Sequence, residues 1–153
     1  MEYVESGHVQ DWVNSGKAKR IGTDLCQAFH EHLLRFPWLP SRVDWARLGH
    51  VAIDTSELDD AAIVERVRDS PMGVHSHILI MYTPDQDGLV CRFEDAIGNL
   101  DLLYWKSPGV RYFCGVDLAG FSDEKKLVPS YSNFAEYDGS AKITVCLSGV
   151  PTA

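Results

Sequence analysis

Leu25, Ala28, Phe29, His32, Leu33 and Phe36 recur at i, i+3, i+4, i+7, i+8 and i+11, which draws one apolar stripe along a helix. Thr23 is placed to cap that helix and Pro37 to stop it. A shorter helix holding Val9, Trp12 and Val13 is predicted before it, closed by Ser15-Gly16. The link that follows the striped helix, Pro37-Trp38-Leu39-Pro40, is too constrained to serve as a flexible domain boundary. His50 to Ile53 reads as a short strand. After it, Thr55 or Ser56 is placed to cap a helix whose core ridge is Ile63, Val64 and Val67, ended near Ser70-Pro71.

From residue 75 the period changes to two. His75 to Thr83 is apolar on both faces, the pattern of a central strand covered on each side. Pro84-Asp85-Gln86-Asp87-Gly88 is a strong turn signal. Leu89, Cys91 and Phe93 then alternate with Val90, Arg92 and Glu94, which predicts a strand with one buried and one wetter face. A second turn at Asp95 to Gly98 leads to a strand at Leu100, Leu102 and Tyr104, and Ser107-Pro108-Gly109 leads to another at Val110, Tyr112, Cys114 and Val116. Residues 118 to 141, with Gly120, Pro129, Gly139 and many serines, read as a long loop with room for one helical turn, and Lys142 to Ser148 closes the chain as a strand. Helices first and consecutive strands afterwards predict an α+β fold, with N-terminal helices packed on an antiparallel, largely meander β-sheet. Residues 1–153 are read as a single domain without internal repeats.

Composition adds a bias. Residues 1–53 hold six acids and six bases, and residues 102–153 hold five of each. Residues 54–101 hold eleven acids against Arg66, Arg68 and Arg92, so this stretch carries the entire net charge of -8. An acidic surface repels phosphate backbones, which argues against direct nucleic-acid binding. The same field attracts and steers a basic protein. The plainer alternative is that these acids solubilise the surface and cap the helix beginning near residue 55.

The longest apolar stretch, Ile78 to Tyr82, is far too short for a membrane span, and the acidic start Met1-Glu2-Tyr3-Val4-Glu5 does not fit a secretory signal. Cys26, Cys91, Cys114 and Cys146 are isolated among apolar neighbours with no C-x-x-C spacing, which predicts buried free thiols and a cytoplasmic protein.

Candidate chemistry is thin. His75 and His77, two apart on a strand, share a face as metal ligands would, and an alternative reading centres a metal-dependent enzyme or metal-binding domain on them. His30 and His32 on a helix point to different sides. Gly120-Phe121-Ser122-Asp123 lacks the second glycine of a nucleophile elbow, and Gly16 to Thr23 lacks the residue order of a phosphate-wrapping loop. Cys91 and Cys114 lie on apolar strand faces that raise a thiol pKa, which argues against a nucleophile. Glu94, Asp95 and Asp101 around one turn form a candidate carboxylate pair, explained more cheaply as turn solubility. Trp105 and Tyr131, beside turn residues, are candidates for exposed aromatic anchors. A third reading is a small-ligand module with a pocket between sheet and helices.

With its acids concentrated from Asp54 to Asp101 and its helix-then-strand layout, the chain resembles the immunity proteins that protect bacteria from polymorphic or contact-delivered toxins. Those families share no motif, so the resemblance assigns no residue. It implies a non-catalytic inhibitor, without cofactor, that binds a cognate toxin or other basic protein and has no membrane contact. The expected partner-binding residues are Glu57, Asp59, Asp60, Asp85, Asp87, Glu94, Asp95 and Trp105.

Overall fold

A computed structural model describes residues 13–14, 18–39, 43–56, 58–81, 88–98, 111–119, 126–137 and 142–147. Within them the chain forms β1 (Ala18–Ile21), α1 (Thr23–Leu33), β2 (His50–Asp54), α2 (Asp60–Arg68), β3 (His77–Met81), β4 (Gly88–Arg92), α3 (Phe93–Ile97), β5 (Arg111–Ala119), β6 (Lys126–Tyr137) and β7 (Lys142–Cys146). Single 3-10 turns lie at Trp45–Arg47 and Pro71–Val74. The seven strands make one sheet in the order β1-β4-β3-β5-β6-β7-β2, and every pairing is antiparallel. The fold is α+β, with β5-β6-β7 a meander and the β3-β4 hairpin placed so that β3 lies inside the sheet, between β4 and β5.

The two sheet faces bury different side chains, because successive residues of a strand point to opposite sides. On one face Ile78, Ile80, Leu89, Cys91, Phe113, Ile143 and Val145 pack with Ile63, Val67, Met72, Phe93 and Ile97 from α2, the second 3-10 turn and α3. On the other, Leu79, Met81, Val90, Cys114, Phe134 and Cys146 pack with Cys26, Phe29 and Leu33 of α1 and with Phe36, Val43 and Trp45. The helices therefore cover both faces, and they do not gather on one.

Local details depart from the expectations in several places. Gly22 is the N-cap of α1, in extended conformation with no side-chain bond, and Thr23 is already helical. The helix tolerates this because burying Phe29 and Leu33 contributes about 1.5–3 kcal/mol each, whereas a side-chain cap contributes about 1 kcal/mol. In α2 the cap is Asp59, whose Oδ1 accepts from Ala62 N–H at 2.8 Å, while Ser56 instead donates its N–H and Oγ–H to Asp54 Oδ1 at 2.9 and 2.6 Å.

The third departure is at Phe93. The strand expected through Glu94 ends at Arg92, and Phe93–Ile97 turns into a short helix that buries Phe93, Ala96 and Ile97, with Glu94 and Asp95 in its first turn where the dipole favours acids. Val90, expected on a wetter face, is buried against the α1 layer.

The fourth is the stretch read as a long loop, which contains β6, a strand of twelve residues. Its polar run is accommodated by a bulge: Cys114 pairs with Phe134 but Gly115 pairs with Ser130, so Tyr131–Asn133 are extra on β6. Val13 and Asn14 are helical, whereas the rest of the first predicted helix, the predicted turn at 84–87, the strand at 100–104 and the turn at 107–109 lie outside the described residues.

Candidate functional site

Four of the expected partner-binding residues are described. Asp59 and Asp60 are exposed at the start of α2, and Glu94 and Asp95 lie in the first turn of α3. Glu57, Asp85, Asp87 and Trp105 lie outside the described residues, as do Asp101 and the 120–123 segment. The helices α2 and α3 run side by side in opposite directions: Arg68 at the end of α2 forms an ion pair with Glu94, and Gly98 faces Val64. The two acid pairs are thus at opposite ends of α2, a nine-residue helix, about 13 Å apart along its axis. Glu65 within the helix and Asp69 at its C-cap, four apart on one line, are both exposed.

These acids are not equivalent. Glu94 is engaged, its carboxyl held below the usual carboxylate range first by a hydrogen bond from its own backbone and then, against some desolvation, by Arg68 and Arg92. Asp59 caps its helix. Asp69, by contrast, is the C-cap residue of α2, where the helix dipole disfavours negative charge. Among the exposed residues of α2, Arg66 is the opposing charge.

Beside α3 opens a cleft of about 390 Å³ whose lining includes Arg68, Val74, His75, His77, Arg92 and Asp117. Val74 is 78% exposed there. Arg68 spans the cleft wall, donating to the carbonyls of Gly73 and His75 at 3.0 and 3.3 Å while its guanidinium lies 4.0 Å over the Phe93 ring.

His75 and His77 are not set as a metal pair. His75 follows the 3-10 turn, outside β3, and its ring is buried at 5% exposure. Its Nδ1 meets Asp117 Oδ2 at 2.9 Å and its Nε2 meets Asn133 Nδ2 at 2.8 Å, so both ring nitrogens are occupied by protein. His77 Nδ1 contacts Ser76 Oγ at 2.7 Å. Among the described residues no group of three or more His, Cys, Asp or Glu side chains is arranged to hold a metal ion.

A second buried polar cluster lies on the α1 face. Glu136, 1% exposed, accepts at Oε2 from Tyr112 Oη–H at 2.7 Å and from Trp45 Nε1–H at 2.9 Å. Tyr112 Oη in turn accepts from Val43 N–H at 3.0 Å. The cluster ties Val43 and Trp45 to the sheet and borders an open groove of about 280 Å³ lined by Leu39, Trp45, His50 and Lys142.

All four cysteines are buried and free. Burial pushes the Cys91 thiol far up, with Asp95 adding to it, and burial likewise raises Cys114, with Cys26 nearby. Tyr131, a candidate for an exposed anchor, is half-buried, its ring stacked on Phe29 at 5.7 Å and 13°. Burial also raises its phenol, with smaller contributions from Cys114 and Cys26.

Asp117, Asn133 and Glu136 were not singled out by the sequence. Asn133 and Glu136 fall in the stretch that reads as a loop. Gly115 was the available signal, because a glycine inside the alternation Tyr112, Cys114, Val116 marks a close approach by another group.

Comparison with family models, with curated proteins and with solved structures finds no match.

Proposed function

We propose that the chain is a non-catalytic protein-binding inhibitor of the immunity-protein kind, which docks a basic protein against the acidic outer side of α2. One observation carries the reading: Glu65 and Asp69 form an exposed acidic row that local folding does not require. Helix capping accounts for Asp59 and Asp60 at the N-terminus, but an acid at the C-cap works against the dipole. A partner with complementary charge supplies a reason for it. Val74, exposed at the neighbouring cleft, is the apolar contact such a charged rim needs, since exposed ion pairs alone contribute little affinity. A cytoplasmic setting belongs to the same proposal and agrees with four free thiols. Among the described residues no helix is long and apolar enough to cross a membrane.

The test is capture from a lysate of the source cells at low salt, using the tagged chain beside its Glu65→Lys/Asp69→Lys variant, followed by an activity assay of the captured protein. The reading expects a basic protein held by the native chain, lost by the variant, and inhibited at one-to-one stoichiometry. An acidic partner, equal capture by both chains, or a captured protein whose activity is unchanged would count against it.

A further inference from the structure

We propose that His75, Asp117 and Asn133 form a proton-operated latch on the β6 bulge, coupling the α2 side of the sheet to the α1 side. An Asn Nδ2 only donates hydrogen bonds. Its approach to His75 Nε2 at 2.8 Å therefore puts a lone pair on Nε2 and the ring proton on Nδ1, donated to Asp117 Oδ2 at 2.9 Å. The neutral imidazole is satisfied at both nitrogens.

Adding a proton from solvent to the Nε2 lone pair reverses that balance. The new N–H faces the N–H groups of Asn133, two donors meet, and the bond is lost. Asn133 must then turn its amide to offer Oδ1, or move with its backbone. It is free to do so in register terms, because Tyr131–Asn133 have no partners across the β5–β6 ladder.

The same bulge reaches the opposite face. Tyr131, two residues from Asn133, stacks on Phe29 of α1 at 5.7 Å and lies 6.0 Å from the His32 ring. Movement of the Asn133 backbone, as distinct from a turn of its amide alone, would carry Tyr131 with it and reach the α1 contact on the other side.

Solvent reaches the latch through the cleft, where the Asp117 side chain is 49% exposed. The charged groups around His75 come from each neighbouring element. They are Asp117 on β5, Arg68 of α2 and Arg92 of β4. Glu94 of α3 offsets Arg68, and His77 of β3 also lines the cleft. The inference is independent of any partner.

The test is an NMR titration of the isotopically labelled full chain. Long-range proton–nitrogen spectra at neutral pH are expected to show His75 protonated at Nδ1. On acidification, the Asn133 side-chain amide and the backbone amides of 131–133 are expected to shift with the midpoint of the His75 Cε1–H resonance. His32 reports its own midpoint through its own ring resonance. Asn133→Asp, which supplies an acceptor to Nε2–H, is expected to raise the His75 midpoint by about one unit or more and to remove the linked shifts. Asp117→Asn, at a half-exposed side chain, is expected to lower it. Protonation at Nε2 in the neutral state, a His75 titration that leaves residues 131–133 unmoved, or no His75 titration before acid unfolding would each overturn the proposal. If Asn133→Asp fails to fold, the native titration and Asp117→Asn still decide.

Discussion

The imidazole of His75 lies so close against Gly115 that a Cβ at position 115 would stand 2.0 Å from the ring's Cδ2. The strand backbone cannot give way by that amount, so the ring would have to leave its place and both of its hydrogen bonds. Gly115→Ala is therefore expected to expel the ring and lower stability by about 3 kcal/mol, the upper end of the overpacking range. Urea unfolding with an unchanged m-value checks this, and a loss under about 0.5 kcal/mol would show that the contact is loose.

Tyr112 and Trp45 both donate to Glu136 Oε2, and Tyr112 also receives the buried Val43 N–H. Tyr112→Phe is expected to cost about 1–3 kcal/mol, because it leaves the Val43 amide without its acceptor and weakens the hold on a buried carboxylate. Trp45→Phe combined with it is expected to be non-additive by about 0.5 kcal/mol or more, since the two donors share one oxygen. Strict additivity in the double-mutant cycle would mean the bonds act independently.

The thiols make a chemical prediction. A thiol whose pKa is raised by burial supplies almost no thiolate near neutrality. All four cysteines are buried and free. Ellman's reagent at pH about 8, near the ordinary thiol pKa, is expected to react slowly with the native protein and promptly with four thiols in denaturant. Prompt reaction of one thiol in the native state would place that side chain at the surface.

Acid is expected to destabilise the fold in two stages. Burial, with Arg35 nearby, holds the His32 pKa below its ordinary value, so the unfolded chain binds the extra proton first. That contribution is full above a pH of about 6.5 and lost as pH falls below it. Asp54, lowered first by the Ser56 hydroxyl, and Glu94, lowered by hydrogen bonding and arginines, contribute above the usual carboxylate range and lose that contribution as pH falls below about 4. Ser56→Ala should therefore be less stable than the native chain at neutral pH, with the gap closing in acid. A gap that widens in acid would reverse the assigned sign.

The strongly patterned elements were legible in the sequence. The stripe of Phe29 and Leu33, the strand at His50 and the buried run from Ile78 to Met81 all follow from period alone. What period cannot report is where an element ends when its next residue is apolar in either conformation. Phe93 is buried equally well as a strand residue or as the first residue of α3, and the helix wins because Ala96 and Ile97 then bury with it. In β6, Pro129 and the polar run to Asn133 break the alternation that marks a strand, and only tertiary pairing across the bulge restores it. The acidic bias of residues 54–101 was visible, but not that Arg68 engages Glu94 while Glu65 and Asp69 face outward, since that depends on how α2 and α3 lie together.

The central claim concerns the outward acids of α2, and the association rate with the captured basic protein tests it most directly. Stopped-flow measurements across a range of ionic strength should show a rate that falls as salt rises, and a rate about tenfold lower at low salt for Glu65→Lys/Asp69→Lys. The variant should remain folded, because a base at the C-cap is favoured by the helix dipole. A rate indifferent to salt and to both substitutions would contradict electrostatic docking on this face.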